Sequence, residues 1–211
     1  MTRIPKFLKV AFEAGFYVLV AFSLAWGAGA AIQGQMPAAR RPILARSASD
    51  ADKLKRDLHL ADGRPAIVEF MDFQCPPCRA AWPKIHAILS ANPDAQYRHI
   101  NFPLQMHPYA FDAAVASEVA VEGGAGDEAF AALIGGATGL DSKSLNRFLS
   151  TKGLPAVIGT PKAEHYRKLV IRDMNLAGEL RIDSTPTIFV LQRDGSLYEV
   201  SAMGRISGLL R

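Results

Sequence analysis

The sequence predicts an α/β domain in which strand-forming segments at both ends enclose a helical insertion. Apolar runs bounded by turn residues lie at residues 66–73, 187–191 and 197–201, and segments with helical periodicity fill residues 108–181. An uncharged apolar segment, residues 14–32, precedes all of them. The order strand, helix, strand, helices and hairpin is typical of an α/β domain that carries inserted helices.

Composition and charge are those of a globular protein. The chain has 211 residues, of which 49% are hydrophobic and 21% charged, with a net charge of +4. Residues 1–41 hold five basic side chains and one acidic side chain, and the rest of the chain is balanced in charge. Because no basic stripe or aromatic stacking motif remains, we predict no nucleic-acid partner.

The apolar segment at residues 14–32 is predicted to be a transmembrane anchor or a signal segment. As a helix it would span ~28 Å, close to the roughly 30 Å of a bilayer's hydrocarbon core. Arg3, Lys6 and Lys9 precede it, so residues 1–13 are expected in the cytoplasm and the following domain outside it. The domain then faces the periplasm or cell exterior from the inner membrane. If the segment is cleaved as a signal, the domain is instead secreted to the periplasm.

The segments that follow are assigned in chain order. Residues 33–48 lack periodicity and are predicted to be a linker, so that residues 49–211 form the folded domain. Residues 49–60 fit a short amphipathic helix and residues 66–73 a buried strand. A helix is predicted after the cysteine pair, followed by a second strand over residues 97–104.

The second half of the domain contains the insertion, at about residues 108–181. Thr160-Pro161 is predicted to be the N-cap and first residue of its last helix. Residues 187–191 and 197–201 are predicted strands on either side of Asp194-Gly195, which is a hairpin signal.

The chain has two cysteines, Cys75 and Cys78, separated by Pro76 and Pro77. A structural zinc site usually needs a second such pair, and covalent haem needs histidine where Arg79 stands. A purely structural disulfide across a two-residue gap would remove little unfolded-state entropy. We therefore predict a redox-active dithiol, with no metal site and no cofactor other than the Cys75–Cys78 disulfide.

The predicted position of the cysteines suggests different roles for them. A strand ends just before Cys75, which would lie at a helix N-terminus, where the macrodipole favours the nucleophilic thiolate. Cys78, one turn further on, would resolve the mixed disulfide. Because Pro76 and Pro77 carry no N–H group, fewer donors stabilise the thiolate, and an intermediate redox couple is expected.

The stretch VEFMDFQCPPC, residues 68–78, resembles the active-site strand and turn of DsbA-like thioredoxin-fold proteins. Residues 184–187 resemble the cis-proline loop of that family, and residues 101–104 with His107-Pro108 resemble the start of its helical insertion. The resemblance covers residues 66 to about 200. It implies a thioredoxin-like fold with a helical insertion, and thiol–disulfide oxidoreductase activity.

The resemblance also implies roles for residues around the dithiol. Glu69 corresponds to a buried acid that relays a proton to Cys78, although a solvated strand carboxylate is the alternative. Pro186 is expected to follow a cis bond that exposes the Thr185 backbone to an extended substrate peptide. Gln74 is expected either to tune substrate access or to serve as a plain turn residue.

The predicted function is disulfide exchange with protein thiols or disulfides outside the cytoplasmic membrane, by a monomeric domain served by a membrane redox partner. A reductase or isomerase fed by a membrane electron donor remains open. A tethered metal-binding thiol chaperone and a peptide-binding module with incidental cysteines are the alternatives from other classes. The scattered histidines show no i, i+4 pair and are interpreted as surface or satisfied core groups: His59, His86, His99, His107 and His165.

Overall fold

The computed structural model describes residues 43–211, which contain a five-stranded mixed sheet. Its strands are β1 (Ile43–Ala45), β2 (Ala66–Met71), β3 (Gln96–Asn101), β4 (Thr187–Leu191) and β5 (Leu197–Val200). They lie in the order β1-β5-β4-β2-β3, with β2 parallel to β3 and every other neighbouring pair antiparallel. The sheet confirms the predicted α/β class.

Seven α-helices accompany the sheet in the described residues. They are α1 (Ala48–Asp57), α2 (Pro76–Ala91), α3 (Ala110–Glu122), α4 (Gly126–Gly135), α5 (Ser142–Thr151), α6 (Glu164–Glu179) and α7 (Ile206–Leu209). Helix α2 provides the crossover that two parallel strands require. Helices α3 to α6 all lie between β3 and β4, where the sequence predicts inserted helices.

Strand β2 is buried along its whole length and divides the core into two faces. Val68 and Phe70 pack on one face with residues of α1 and α6. Ile67 packs on the other face with residues of α2 and α7. Because side chains alternate along a strand, Glu69 lies on the face of Ile67, under α2. The fold thus places one carboxyl group beneath the helix that carries the cysteines.

A third core cluster joins the cysteines to the inserted helices. Cys75 and Cys78 belong to it, together with Phe73, Phe130 of α4 and apolar residues of α3, α5 and α6. The dithiol therefore lies where the sheet meets the insertion, and the insertion forms one side of its surroundings.

The predicted linker at residues 33–48 is wrong in its last part. Residues 43–45 form β1, which pairs with β5, and Ala48 begins α1. Three residues held by main-chain hydrogen bonds are too few to show a side-chain period. Residues 1–13, the apolar segment 14–32 and residues 33–42 lie outside the described part of the chain. Within residues 43–211, no helix combines the length and apolar character needed to cross a membrane.

The hairpin prediction is confirmed, and the predicted start of the last inserted helix needs a correction. Strands β4 and β5 pair around a turn in which Gly195 has φ +88° and Asp194 Oδ1 accepts from the Ser196 N–H at 2.9 Å. Thr160-Pro161 opens a 3-10 turn, and α6 begins at Glu164. The Thr160 hydroxyl does not cap a helix, because it donates to the Val157 carbonyl.

Candidate active site

The two cysteines lie at the N-terminus of α2, as predicted, and both are free thiols. Cys75 is the N-cap residue, and its N–H donates to the Asp72 carbonyl at 3.1 Å. Pro76 and Pro77 occupy the first two helical positions, so they offer no N–H group to the sulfur. Cys75 is 4% exposed and Cys78 is fully buried. Solvent and substrate therefore reach Cys75 first.

Burial makes Cys78 a poor thiolate. It raises the pKa of Cys78 well above its ordinary value, and the negative charges of Cys75 and Glu69 raise it further. Hydrogen bonds from the Asp72 backbone and the Thr185 side chain offset only part of this effect. Cys78 consequently holds its proton near neutrality, and it needs a nearby base when it attacks a disulfide.

The loop before β4 faces Cys75. The peptide bond between Thr185 and Pro186 is cis, as the resemblance implied. The Thr185 carbonyl accepts a hydrogen bond from the Cys75 thiol at an Sγ–O distance of 3.5 Å. The Thr185 hydroxyl is buried in this loop. The backbone of this loop is thus close enough to Cys75 to contact a peptide bound there.

Glu69 is 1% exposed, which excludes the alternative of a solvated strand carboxylate. Burial raises its pKa to about 7, against the opposing effect of a hydrogen bond from Tyr97. The Tyr97 hydroxyl donates to Glu69 Oε2 at 2.7 Å. A carboxyl group with a pKa near neutrality can both accept and release a proton under physiological conditions.

Tyr97 is a site residue that the sequence reasoning missed. Its Cα pairs with Ile67, and Glu69 pairs with His99, so the Tyr97 hydroxyl reaches diagonally to Glu69. The only signal in the sequence was a hydroxyl-bearing aromatic at the start of the second predicted strand. That signal becomes useful only when the register of the parallel pair is known.

Asp72 anchors the turn before the cysteines and was also missed. Its Oδ1 accepts from the Gln74 N–H at 2.6 Å, and its Oδ2 accepts from the Leu104 N–H at 2.8 Å. The same Oδ2 lies 2.7 Å from His107 Nδ1. This buried carboxylate fastens the active-site turn to the loop that enters the insertion. His107 is therefore a satisfied group, one of the two interpretations that the sequence allowed.

Gln74 links the same two segments through its side chain. Its Oε1 accepts from the Tyr109 N–H at 2.9 Å. The loop on the far side of this hydrogen bond carries two exposed apolar side chains, Met106 (77% exposed) and Tyr109 (47% exposed). Gln74 thus holds an apolar rim beside the active-site turn.

Aromatic rings pack behind the dithiol around Phe130. Its ring centroid lies 4.5 Å from that of His99, 4.7 Å from that of Trp82 and 6.1 Å from that of Tyr97. Burial, with the charge of Arg98, lowers the pKa of His99 to about 4. His99 is therefore neutral at physiological pH.

A cleft of about 790 Å³ is lined by Trp82 and Phe130 of this ring cluster. Tyr97 and His99 line it, and so do Glu118 and Asp173. The Asn101 side chain donates to Glu118 Oε1 at 2.7 Å and to Asp173 Oδ2 at 3.2 Å. Burial and the charge of Asp173 raise the pKa of Glu118 to about 7. Glu118 is half-buried, and it makes no contact with the dithiol in the described residues.

Comparison with known proteins places this site in a recognised fold. A family model described as Thioredoxin matches residues 61–201. The catalytic domain of Proteus mirabilis ScsC is 19% identical with a TM-score of 0.54, over 69% of this chain and 86% of that chain. DsbA from Xylella fastidiosa is 20% identical with a TM-score of 0.51, over 70% and 84%. A thioredoxin-like oxidoreductase from Silicibacter pomeroyi is 22% identical with a TM-score of 0.50, over 61% and 75%.

One curated relative is a much longer protein. The match is 30% identical over 141 residues with a protein named Na(+)/H(+) antiporter NhaA 3 from Salinispora tropica. It covers 65% of this chain and 22% of that protein, so the chain spans about a fifth of the length of this relative. The structural likenesses confirm the expected thioredoxin-like fold.

Proposed function

The chain belongs to the thioredoxin family, and from that premise we propose that it is a thiol–disulfide oxidoreductase acting on protein substrates. The observation that carries the proposal is the asymmetry of its two thiols. Cys75 occupies the N-cap position of α2 and its thiol donates to the Thr185 carbonyl, whereas Cys78 is fully buried with a raised pKa. The sulfur of Cys75 is placed to react with substrate, and the buried sulfur of Cys78 is placed to attack the resulting mixed disulfide.

The exchange follows from this arrangement. A substrate thiolate attacks Cys75 in the Cys75–Cys78 disulfide, and the electrons of the broken S–S bond leave with Cys78. The buried Cys78 sulfur takes the proton of Glu69, whose pKa of about 7 suits either direction of transfer. A second substrate thiolate then attacks the mixed disulfide, which forms the substrate disulfide and releases Cys75. The reverse sequence reduces a substrate disulfide.

Substrate binding is proposed to use the main chain of the loop at Thr185 and the apolar rim near Gln74. The Thr185 carbonyl faces Cys75, where an extended peptide can pair with the loop backbone. Met106 and Tyr109 offer apolar contacts beside the turn that Gln74 holds. The partners are accordingly protein segments that present a cysteine in an extended conformation.

The redox couple is proposed to be less oxidising than that of DsbA. Pro76 and Pro77 at the first helical positions leave the sulfur of Cys75 without two of the usual N–H donors. The Thr185 carbonyl accepts a hydrogen bond from the Cys75 thiol. A less stabilised thiolate corresponds to a potential more negative than about −120 mV. Equilibration against glutathione measures it, and a value at or above that of DsbA would contradict this step.

The domain is proposed to work as a monomer outside the cytoplasmic membrane, tethered by residues 14–32 and served by a membrane redox partner. The apolar run behind Arg3, Lys6 and Lys9 supports the orientation. Disulfide chemistry is also favoured in an oxidising compartment. A reporter fused after Arg211 should be active outside the membrane, and the chain should resist alkaline extraction. Recovery in the soluble fraction without residues 14–32 would instead show a cleaved signal.

Substitution of each cysteine tests the central proposal. In an assay of disulfide exchange with a reduced or oxidised protein substrate, Cys75→Ser should be inactive. Cys78→Ser should accumulate a mixed disulfide with the substrate, because the resolving thiol is absent. Limiting alkylation of the reduced protein should label Cys75 before Cys78. Preferential labelling of Cys78, or exchange activity that survives in both variants, would refute the assignment.

A further inference from the structure

The hydrogen bond between Tyr97 and Glu69 is built into the packing of the domain. Tyr97 lies on β3 with its hydroxyl 2.7 Å from Glu69 Oε2. Its ring packs against Trp82 at a centroid distance of 5.7 Å and against Phe130 at 6.1 Å. Trp82 is four residues after Cys78 on α2, so both side chains lie on the same face of that helix. The helix that carries the resolving cysteine thus also holds the tyrosine ring in place.

The groups that face Glu69 are few. Helix α2 contributes the thiol of Cys78, whose pKa responds to the charge of Glu69. Strand β3 contributes Tyr97 and the register partner His99, which is neutral at pH 7 because its pKa is about 4. Strand β4 contributes the apolar Ile188. Among residues 43–211, the Tyr97 hydroxyl is therefore the one group that donates a hydrogen bond to this carboxylate.

We propose that Tyr97 is a positioning residue that binds Glu69 through Oε2 and leaves Oε1 to exchange a proton with Cys78. The inference rests on the proposed function and adds to it a residue that acts through Glu69. It concerns the step in which Cys78 attacks the mixed disulfide between Cys75 and a substrate. Tyr97 has no contact with substrate in this role.

The proton and the electrons balance in that step. The Cys78 thiol gives its proton to the Glu69 carboxylate, and its sulfur attacks the sulfur of Cys75. The Cys75–Cys78 bond forms, the bond from Cys75 to the substrate breaks, and the substrate leaves as a thiolate. Glu69 later returns its proton to solvent. No other oxidant or reductant is consumed.

The direction of the effect of Tyr97 follows from its role as a donor. A hydrogen bond to the ionised carboxylate favours that form, so Tyr97 lowers the pKa of Glu69 against the effect of burial. Without the hydroxyl, Glu69 stays protonated to a higher pH. Fewer molecules then hold the carboxylate that accepts the proton of Cys78, and resolution at neutral pH slows.

The test separates attack by Cys75 from resolution by Cys78. Reduced full-length protein is mixed with 5,5′-dithiobis(2-nitrobenzoic acid) in a stopped-flow instrument. Attack by Cys75 releases the first coloured thiolate, and attack by Cys78 on the mixed disulfide releases the second. In Tyr97→Phe we expect the first phase to keep its rate. The second should slow about fivefold at pH 7, because its pH midpoint should move from about 7 to about one unit higher, the size of one hydrogen bond to a charged group.

Two further variants control the interpretation. Tyr198→Phe removes a hydroxyl that makes no hydrogen bond in the described residues, and it should leave both phases unchanged. Replacing Tyr97 with 3-fluorotyrosine keeps the ring and strengthens the donor, so the midpoint of the second phase should fall. This variant tests the proposal even if the phenylalanine variant folds poorly.

The outcomes distinguish the two levels of inference. A wild-type second phase in Tyr97→Phe, with an unchanged midpoint, would overturn the role of Tyr97. The role of Tyr97 would also be overturned if Tyr97→Phe slowed the second phase equally in a Glu69→Gln background. In that background the carboxylate through which Tyr97 is proposed to act is absent. Absence of a first phase assignable to Cys75 in the wild-type protein would instead refute the proposed function.

Discussion

Replacing Glu69 with glutamine should remove a loss of stability that the wild-type protein suffers as pH rises. The side chain is 1% exposed, and burial raises its pKa from 4.5 to about 7. Glutamine has nearly the same shape and keeps an oxygen that can accept from Tyr97. The substitution therefore removes the ionisation with little change in packing.

The sign and the size follow from proton linkage. Between pH 4.5 and about 7 the folded protein keeps a proton that the unfolded chain has released, so the free energy of unfolding falls as pH rises. Each unit of pKa difference corresponds to about 1.4 kcal/mol, which gives about 3 kcal/mol over the whole shift. The fall in stability between pH 4 and pH 8 should be smaller by about this amount in Glu69→Gln. Any constant cost of the amide cancels in that comparison.

Glu118→Gln is the matched control, because burial raises the pKa of Glu118 to about 7 as well. Its contacts are with Asn101 and the charge of Asp173 rather than with the dithiol. Urea unfolding of the reduced proteins at pH 4, 6 and 8 should show a reduced pH dependence in both variants. Only Glu69→Gln should slow resolution by Cys78. The reasoning would be refuted if Glu69→Gln kept the wild-type pH dependence, or if Glu118→Gln slowed resolution equally.

Two packing predictions concern the supports of the site. Asp72→Ala should lower the free energy of unfolding by about 2–4 kcal/mol in urea titrations, because two partly buried N–H donors lose their acceptor. An unchanged midpoint, as expected for the exposed control Asp62→Ala, would contradict the network. Phe130→Ala should lower the free energy of unfolding by about 3–5 kcal/mol, since Phe130 is 4% exposed and packs on four rings. Val121→Ala at a 51% exposed position should change it by less than about 0.5 kcal/mol.

Features carried by local sequence were predicted well. About a dozen positions contain the apolar residues of β2, the turn after them and the two cysteines. This short stretch was enough to predict a strand, a turn and the start of a helix. The hairpin around Asp194-Gly195 is equally local, because its turn depends on the backbone freedom of one glycine. Apolar neighbours along β2 also indicated that Glu69 is buried, which the structure bears out.

Features that depend on distant pairing were not predictable in the same way. His107 binds Asp72, which lies 35 positions earlier in the chain. The sequence predicted that Asp72 belongs to a strand over residues 66–73, whereas β2 ends at Met71. The contact of Tyr97 with Glu69 depends on the register of β2 and β3, and a shift by one residue would turn the tyrosine to the other face. Strand β1 is stabilised by its antiparallel pairing with β5, and a segment of three residues carries no pattern that predicts such a pairing.

His99 illustrates how one buried environment acts in opposite directions on an acid and a base. Its Cα pairs with that of Glu69 across the two parallel strands. Burial raises the pKa of Glu69 to about 7 and lowers that of His99 to about 4, because each group is held in its neutral form. On acidification the folded protein gains stability from Glu69 and loses it at His99. The two slopes oppose each other in the interval between about pH 4.5 and 6.5.

Replacing His99 with phenylalanine should expose the slope of the acids alone. This histidine takes up a proton near pH 6.5 in the unfolded chain and only near pH 4 in the folded protein. As pH drops through that interval, His99 therefore lowers the free energy of unfolding of the wild-type protein by about 3 kcal/mol. Phenylalanine keeps a ring against Phe130 and cannot titrate. Urea unfolding should therefore show that the variant becomes steadily more stable from pH 7 to pH 4.5, where the wild-type profile is flatter. The same pH dependence in both proteins would mean that His99 takes up its proton equally readily in the folded and unfolded states, and that burial does not control its charge.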